Sequence, residues 1–286
     1  MLVLIIIELE VHERVKVVTK TAEDRWAVTL IDTYTQLATV AAGGLEREIA
    51  VFGDLFDQGI LVNGIIDQVQ LCKEAGELTI LDYKTRRTNS LPSDAQKQGH
   101  ALQLMLYKCM LDNLTCGVTK MSQLAQHKSL NFSRELSEGV LKHITRCGLQ
   151  KLFMTQSNVT KDTRTTNDSL GLTESGICVT FGALAGVISE LIAGLNLPLV
   201  STLTVQYIYQ KTHEVIGVEV VEHDETWARK MLQSSLNFWL GRRDAHGVDL
   251  EDLWKCDSCQ FRDVCVWKKQ KDLEQSPAAF KPHHIF

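Results

Sequence analysis

An α/β fold built around a mixed sheet is what this sequence predicts, and three observations predict it. Apolar runs of strand period at 47–53 and 63–87 lie between segments of helical period at 22–40 and 92–114. A second pair of β-branched runs, 202–210 and 214–222, sits between an apolar helix near 181–195 and another at about 225–240. Strands and helices therefore interleave along the chain, the pattern of one layered α/β or α+β domain across residues 1–286.

Each element has a local reason. "MLVLIII" opens the chain as a buried strand or helix end. Over 22–40, Trp26, Leu30, Ile31, Leu37 and Val40 recur at helical spacing behind a Thr21 cap, and Gly43 and Gly44 stop the pattern. "REIAVFG" reads as a strand. The stretch "NGIIDQVQLCKEAGELTILDYKTRR" reads as a hairpin whose loop is Lys73 to Gly76. Pro92 precedes the next helix, with Ser93 or Asp94 as cap and Leu102, Met105, Leu106, Cys109 and Met110 as its apolar stripe. Residues 155–176 carry too few large apolar side chains to offset the entropy of ordering and read as a flexible insert.

Composition excludes several classes. With 44% hydrophobic and 23% charged residues, the chain has an ordinary globular balance. A formal charge of −5 provides no overall basic field, so any nucleic-acid contact must use a local patch. The longest opening apolar run covers seven residues, far short of the roughly 20 that span a bilayer, so no membrane partner is expected. Eight cysteines without a secretory signal suit a reducing intracellular compartment. Five of them are scattered, whereas Cys256, Cys259 and Cys265 cluster in "WKCDSCQFRDVCVWKK", a distinct segment over 254–269.

The hairpin register has a chemical consequence. If Cys72 faces Glu77, then Asp67 faces Asp82, and alternation puts Lys84 on the face of Asp82 above a floor of Val69 and Ile80. Two acids so close share a proton or bind a cation, and hard oxygen ligands suit Mg²⁺ or Mn²⁺. A lysine two residues away is placed to orient water or stabilise phosphoryl charge. The bland alternative is a pair of solvated acids neutralised by Lys84. Glu48 starts a neighbouring strand and could add a third carboxylate, and Gln103 and Tyr107, four apart, share one face at the edge of the helical stripe.

In order, Glu48, Asp67, Asp82-x-Lys84 and Gln103-x3-Tyr107 resemble the RecB-type branch of the PD-(D/E)XK nucleases. "GIIDQ", "ELTILDYKTRR", "LQLMLYK" and "GVDLEDLWKCDSCQFRDVCVWKK" are similar to the eukaryotic exonuclease V family from about residue 10 to 269. The resemblance implies a PD-(D/E)XK core and a metal-dependent exonuclease on single-stranded DNA, acting in repair and genome maintenance. It implies Mg²⁺ at Asp67 and Asp82, assisted by Glu48, with Lys84, Gln103 and Tyr107 catalytic or strand-orienting. Asp82 stands where the family often has glutamate.

The same resemblance implies a [4Fe–4S] cluster on Cys256, Cys259 and Cys265 plus an N-terminal cysteine. No such cysteine precedes Cys72, and the expectation is that the segment carrying it is missing. A zinc site completed by His283 or His284 is the rival reading. Arg86, Arg87 and Lys97, with Arg242, Arg243, Lys268 and Lys269, are candidates for gripping phosphates. The expected partners are single-stranded DNA and a single-strand-binding replication or repair protein, with the chain a monomer in the nucleus, or else in the mitochondrion or cytosol. Two alternatives stay open: an impaired protein that binds strands or a repair partner without cutting, and a nuclease of the same fold on RNA or duplex DNA.

Overall fold

The computed structural model describes residues 17–154, 178–248 and 250–274. The first seven residues, the insert 155–176 and His283 and His284 lie outside the described residues. Helix α1 is Ala22–Ala41. Its start is fixed by a reciprocal cap: Thr21 Oγ1 accepts the Asp24 N–H at 3.0 Å and Asp24 Oδ2 accepts the Thr21 N–H at 3.3 Å. Burial alone would raise the Asp24 carboxyl, but N–H donors from Ser137, Lys20 and Thr21 outweigh it and hold it below the usual range.

Strands β1 (Leu45–Asp54), β2 (Leu61–Cys72) and β3 (Glu77–Arg86) form an antiparallel meander, and β4 (Val200–Tyr209) and β5 (Val215–Val220) complete a five-stranded sheet in the order β1-β2-β3-β4-β5. β3 and β4 are parallel, which obliges a long crossover. That crossover contains α2 (Asp94–Thr115), α3 (Met121–Lys128), α4 (Glu138–Arg146), α5 (Gln150–Met154) and α6 (Phe181–Gly194). α1 packs on β1 and α6 packs on α1, enclosing apolar side chains such as Leu30, Ile31, Leu37, Ile49 and Ile188. After β5 come α7 (Glu225–Trp239), a 3₁₀ segment Leu250–Ser258 and α8 (Val266–Glu274).

Two expectations need correction. On α2 the fully buried face is Leu104, Met105, Tyr107, Met110, Leu111 and Leu114, so the stripe is rotated from the expected one and Tyr107 lies inside it instead of at its polar edge. The three short helices α3, α4 and α5 occupy a stretch for which the sequence suggested no element.

The chain groups into two compact units. The first comprises Met1–Ser90 and Leu104–His223, and the second Leu91–Gln103 and Asp224–Phe286. The sheet belongs to the first.

Candidate active site

The β2–β3 ladder runs from Cys72↔Glu77 to Gln68↔Leu81 and stops there. This is the register the four-residue loop predicts, and its next position sets Asp67 against Asp82. Two neighbouring carboxylates repel and need solvation or a cation, so an end to regular pairing at this point has a physical reason. In place of a ladder bond, Asp67 Oδ2 accepts the Tyr83 N–H at 2.7 Å. Burial raises the Asp67 pKa; the Tyr83 hydrogen bond lowers it, the Asp82 charge raises it, and Lys84 and Arg47 lower it, with a net upward shift.

Asp82 is only 2% exposed, and its Oδ2 lies 2.9 Å from Lys84 Nζ. The ammonium approaches as an ion-pair partner and not along a hydrogen-bond direction, because the same oxygen has no hydrogen bond among the described residues. Removing a carboxylate from water costs several kcal/mol unless it is paired and its lone pairs are used, on the order of what one good partner returns. A buried acceptor still open, beside a second carboxylate, fits a divalent cation. Mg²⁺ needs only one or two protein carboxylates and fills its remaining positions with water and phosphate oxygens.

The opposite side of β3 has a different character. Tyr83 donates its hydroxyl to Gln68 Oε1 at 2.8 Å, and the Arg47 guanidinium sits 5.6 Å from the Tyr83 ring centre. Alternation thus separates Tyr83 from Asp82 and Lys84, as expected.

The other candidate residues fall out as follows. Glu48 is in line with Asp67, but its backbone has φ +56°, its side chain is exposed, and it is skipped between the pairs Arg47↔Gln68 and Ile49↔Ile66. Among the described residues no three His, Cys, Asp or Glu side chains form a metal-holding group, so the third carboxylate is not gathered with the other two. Tyr107 packs on Gly64, where an added Cβ would lie 3.2 Å from Cζ and 3.3 Å from Oη. Gln103 is half-buried and falls in the second unit, as does Lys97. Arg86 closes β3 with Nε donating to the Ser90 carbonyl at 3.2 Å, and Arg87 is exposed.

Two residues that the sequence did not single out join this face. β3 pairs with β4 at Asp82↔Val205 and Lys84↔Tyr207, and β4 with β5 at Val205↔Glu219. Paired residues share a face, so Glu219 lies in the row of Asp82, and Tyr207 lies beside Lys84. The Tyr207 hydroxyl, fully buried, donates to Glu219 Oε2 at 3.5 Å. Burial pushes its pKa up to about 12, with the Glu219 charge next and Asp82 contributing against the opposing Arg86, so the phenol stays a proton donor. The signal was present in "TLTVQYIYQ", but only the parallel pairing, invisible locally, brings it to Asp82.

Cys256 and Cys265 are half-buried and Cys259 is exposed; Cys265 Sγ accepts the Lys268 N–H at 3.5 Å. Among the described residues these thiols are not gathered into a metal-holding group.

With this geometry in hand, the comparisons are decisive for kinship. A family model described as "Exonuclease V - a 5' deoxyribonuclease" matches residues 5–79 and 72–268. The chain belongs to the exonuclease V family. It is similar to Exonuclease V of Danio rerio, 31% identical over 279 residues, covering 97% of this chain and 63% of that protein. It is also similar to "Exonuclease V, mitochondrial" of Eremothecium gossypii, 23% identical over 236 residues, or 69% of this chain and 44% of that protein. A Candida albicans protein of the same name matches at 29% identity over 91 residues, 32% of this chain and 15% of the relative. The chain thus spans less than two thirds of the length of these relatives.

Proposed function

We propose that this chain is a metal-dependent exonuclease that hydrolyses phosphodiesters of single-stranded DNA, on a PD-(D/E)XK core. One observation supports this reading most: the buried Asp82 Oδ2, without a hydrogen bond, beside Asp67 and 2.9 Å from Lys84. Asp67 and Asp82 would hold Mg²⁺ or Mn²⁺, which when bound polarises a phosphoryl oxygen and lowers the pKa of water. Lys84 presents a cation at the carboxylate edge, where it orients an attacking water and offsets developing negative charge. Tyr207 keeps its proton and fixes Glu219 alongside. Arg86 and Arg87, at the end of the Lys84 strand, engage phosphates.

The description of the matching family model favours attack from the 5′ end and DNA over RNA. A role in genome maintenance fits such an activity, with a single-strand-binding protein as partner. The names of the fungal relatives favour the mitochondrion over the nucleus. Among the described residues no helix is long and apolar enough to cross a membrane.

The test is cleavage of end-labelled single strands with Mg²⁺ by the wild type, Asp82→Asn and Lys84→Ala. The expected result is loss of at least about a hundredfold in both variants, in line with removal of a group that stabilises transition-state charge. Equal rates in all three proteins would reject the assignment. Binding without product in the wild type would favour the non-cutting alternative.

A further inference from the structure

Helix α7 ends in a defined cap. Gly241 takes φ +66°, its N–H donates to the Phe238 carbonyl at 3.0 Å, and the Arg242 N–H donates to the Asn237 carbonyl at 2.7 Å. This six-to-one and five-to-two pair is a Schellman closure, and glycine supplies the left-handed residue it needs. The closure turns the chain back at once, so the two arginines that follow are held next to the last helical turn.

That turn carries aromatic side chains facing water. Trp239 is 80% exposed and Phe238 39% exposed, their rings meeting edge to face with centres 5.5 Å apart. Burying a large aromatic ring is among the strongest gains open to a fold, so an indole left this open in the described structure is unusual. Arg243 lies over Phe238, its guanidinium carbon 5.2 Å from the ring centre. Its Nε donates to the Ser234 carbonyl at 2.8 Å and its Nη1 to the Asp244 carbonyl at 2.7 Å. The cation is therefore locked in position, with its charge uncompensated by a carboxylate in either bond.

We propose that Phe238, Trp239, Arg242 and Arg243 form a stacking platform for the unpaired bases of a single strand, built from residues other than those of the acidic hairpin. The proposal rests on the single-strand reading above and deepens it. An exposed indole accepts the face of any base, and the fixed Arg243 with the exposed Arg242 at its margin meets the phosphates that flank a stacked base. Charge complementarity selects this occupant: apolar surface with cations at its rim suits a polyanion that also carries flat rings. A membrane surface would use a longer apolar face than two rings and Leu240 provide.

The experiment measures binding by fluorescence anisotropy in EDTA, where cleavage is not in play, using labelled oligothymidine and an abasic strand of equal length. Wild type is expected to prefer the thymidine strand. Trp239→Ala should lose about tenfold on that strand and nothing on the abasic one, and Trp239→Phe should restore most of the loss. Arg242→Ala should weaken both strands and flatten the salt dependence by about one counterion.

Unchanged affinity in Trp239→Ala, or an equal loss on both strands, would overturn the platform. Asp82→Asn separates the two claims. Base-dependent binding that persists in this variant while the wild type cuts nothing sinks the nuclease and spares the platform. Wild-type cleavage with base-blind binding does the reverse. A melting curve for each variant excludes misfolding as the cause.

Discussion

Gly64→Ala is the sharpest probe of how the hairpin is fitted to its surroundings. Gly64 begins "GIIDQ" on β2, three residues before Asp67, and pairs with Val51. Its φ lies outside the left-handed region, so alanine meets no backbone strain there. The whole penalty comes from Tyr107: an added Cβ would lie 3.2 Å from Cζ and 3.3 Å from Oη, and closer still to Cε1.

Carbons in contact prefer about 3.5 to 4.0 Å, so the ring must shift within its buried face. Overpacking of this kind costs about 1–3 kcal/mol. The lower entropy of the unfolded alanine chain offsets about 0.4–1 kcal/mol. At the midpoints of these ranges the net destabilisation is about 1.3 kcal/mol, a fall in Tm of about 3–5 °C for a domain of this size. Calorimetry measures it, and a double-mutant cycle with Tyr107→Leu isolates its cause. Removal of the ring should abolish most of the cost of Gly64→Ala. A Tm at or above that of the wild type, or the same loss in the Tyr107→Leu background, refutes the fitted-ring argument.

Two further outcomes follow from the geometry. Asp32 Oδ1 lies 2.8 Å from His143 Nε2 and, ahead of the Cys147 contact, raises the His143 pKa to about 9. A raised folded pKa adds stability that is complete below about pH 6.5 and fades as pH climbs through about 9. With Asp32 half exposed, Asp32→Asn should therefore cost about 1 kcal/mol near pH 6 and nothing near pH 10, read from denaturant melts; an equal loss at both would argue against the ion pair. In the second unit, the Trp267 indole lies against Gly247 where a Cβ would sit. Gly247→Ala should displace the ring, visible as a changed near-ultraviolet spectrum and faster proteolysis after residue 247, and an unaltered spectrum would contradict that packing.

What could be read from the sequence was what local chemistry determines. The hairpin register came from a four-residue loop and strict alternation, and the Thr21 cap from side-chain spacing. Relations between distant segments were not readable. Nothing near "TLTVQYIYQ" reveals that Tyr207 will stand beside Lys84, because their pairing joins strands separated by residues 87–199. Tyr107 was set at the stripe's edge from its four-residue spacing to Gln103, whereas the glycine opposite it makes room for a ring. Glu48 was aimed by assuming regular strand geometry, and a single left-handed residue breaks that assumption.

The parallel seam between β3 and β4 also bears on assembly. The meander of β1, β2 and β3 closes through short loops and is available as soon as Arg86 has been synthesised, whereas β4 must wait for the whole crossover and then pay a closure entropy that grows as the logarithm of its length. For that interval the acidic pair faces water without the tyrosine and glutamate that later stand beside it. The chain thus forms its acidic pair early and completes that pair's surroundings late, so on the proposed nuclease reading competence to cut should lag behind formation of the hairpin during refolding.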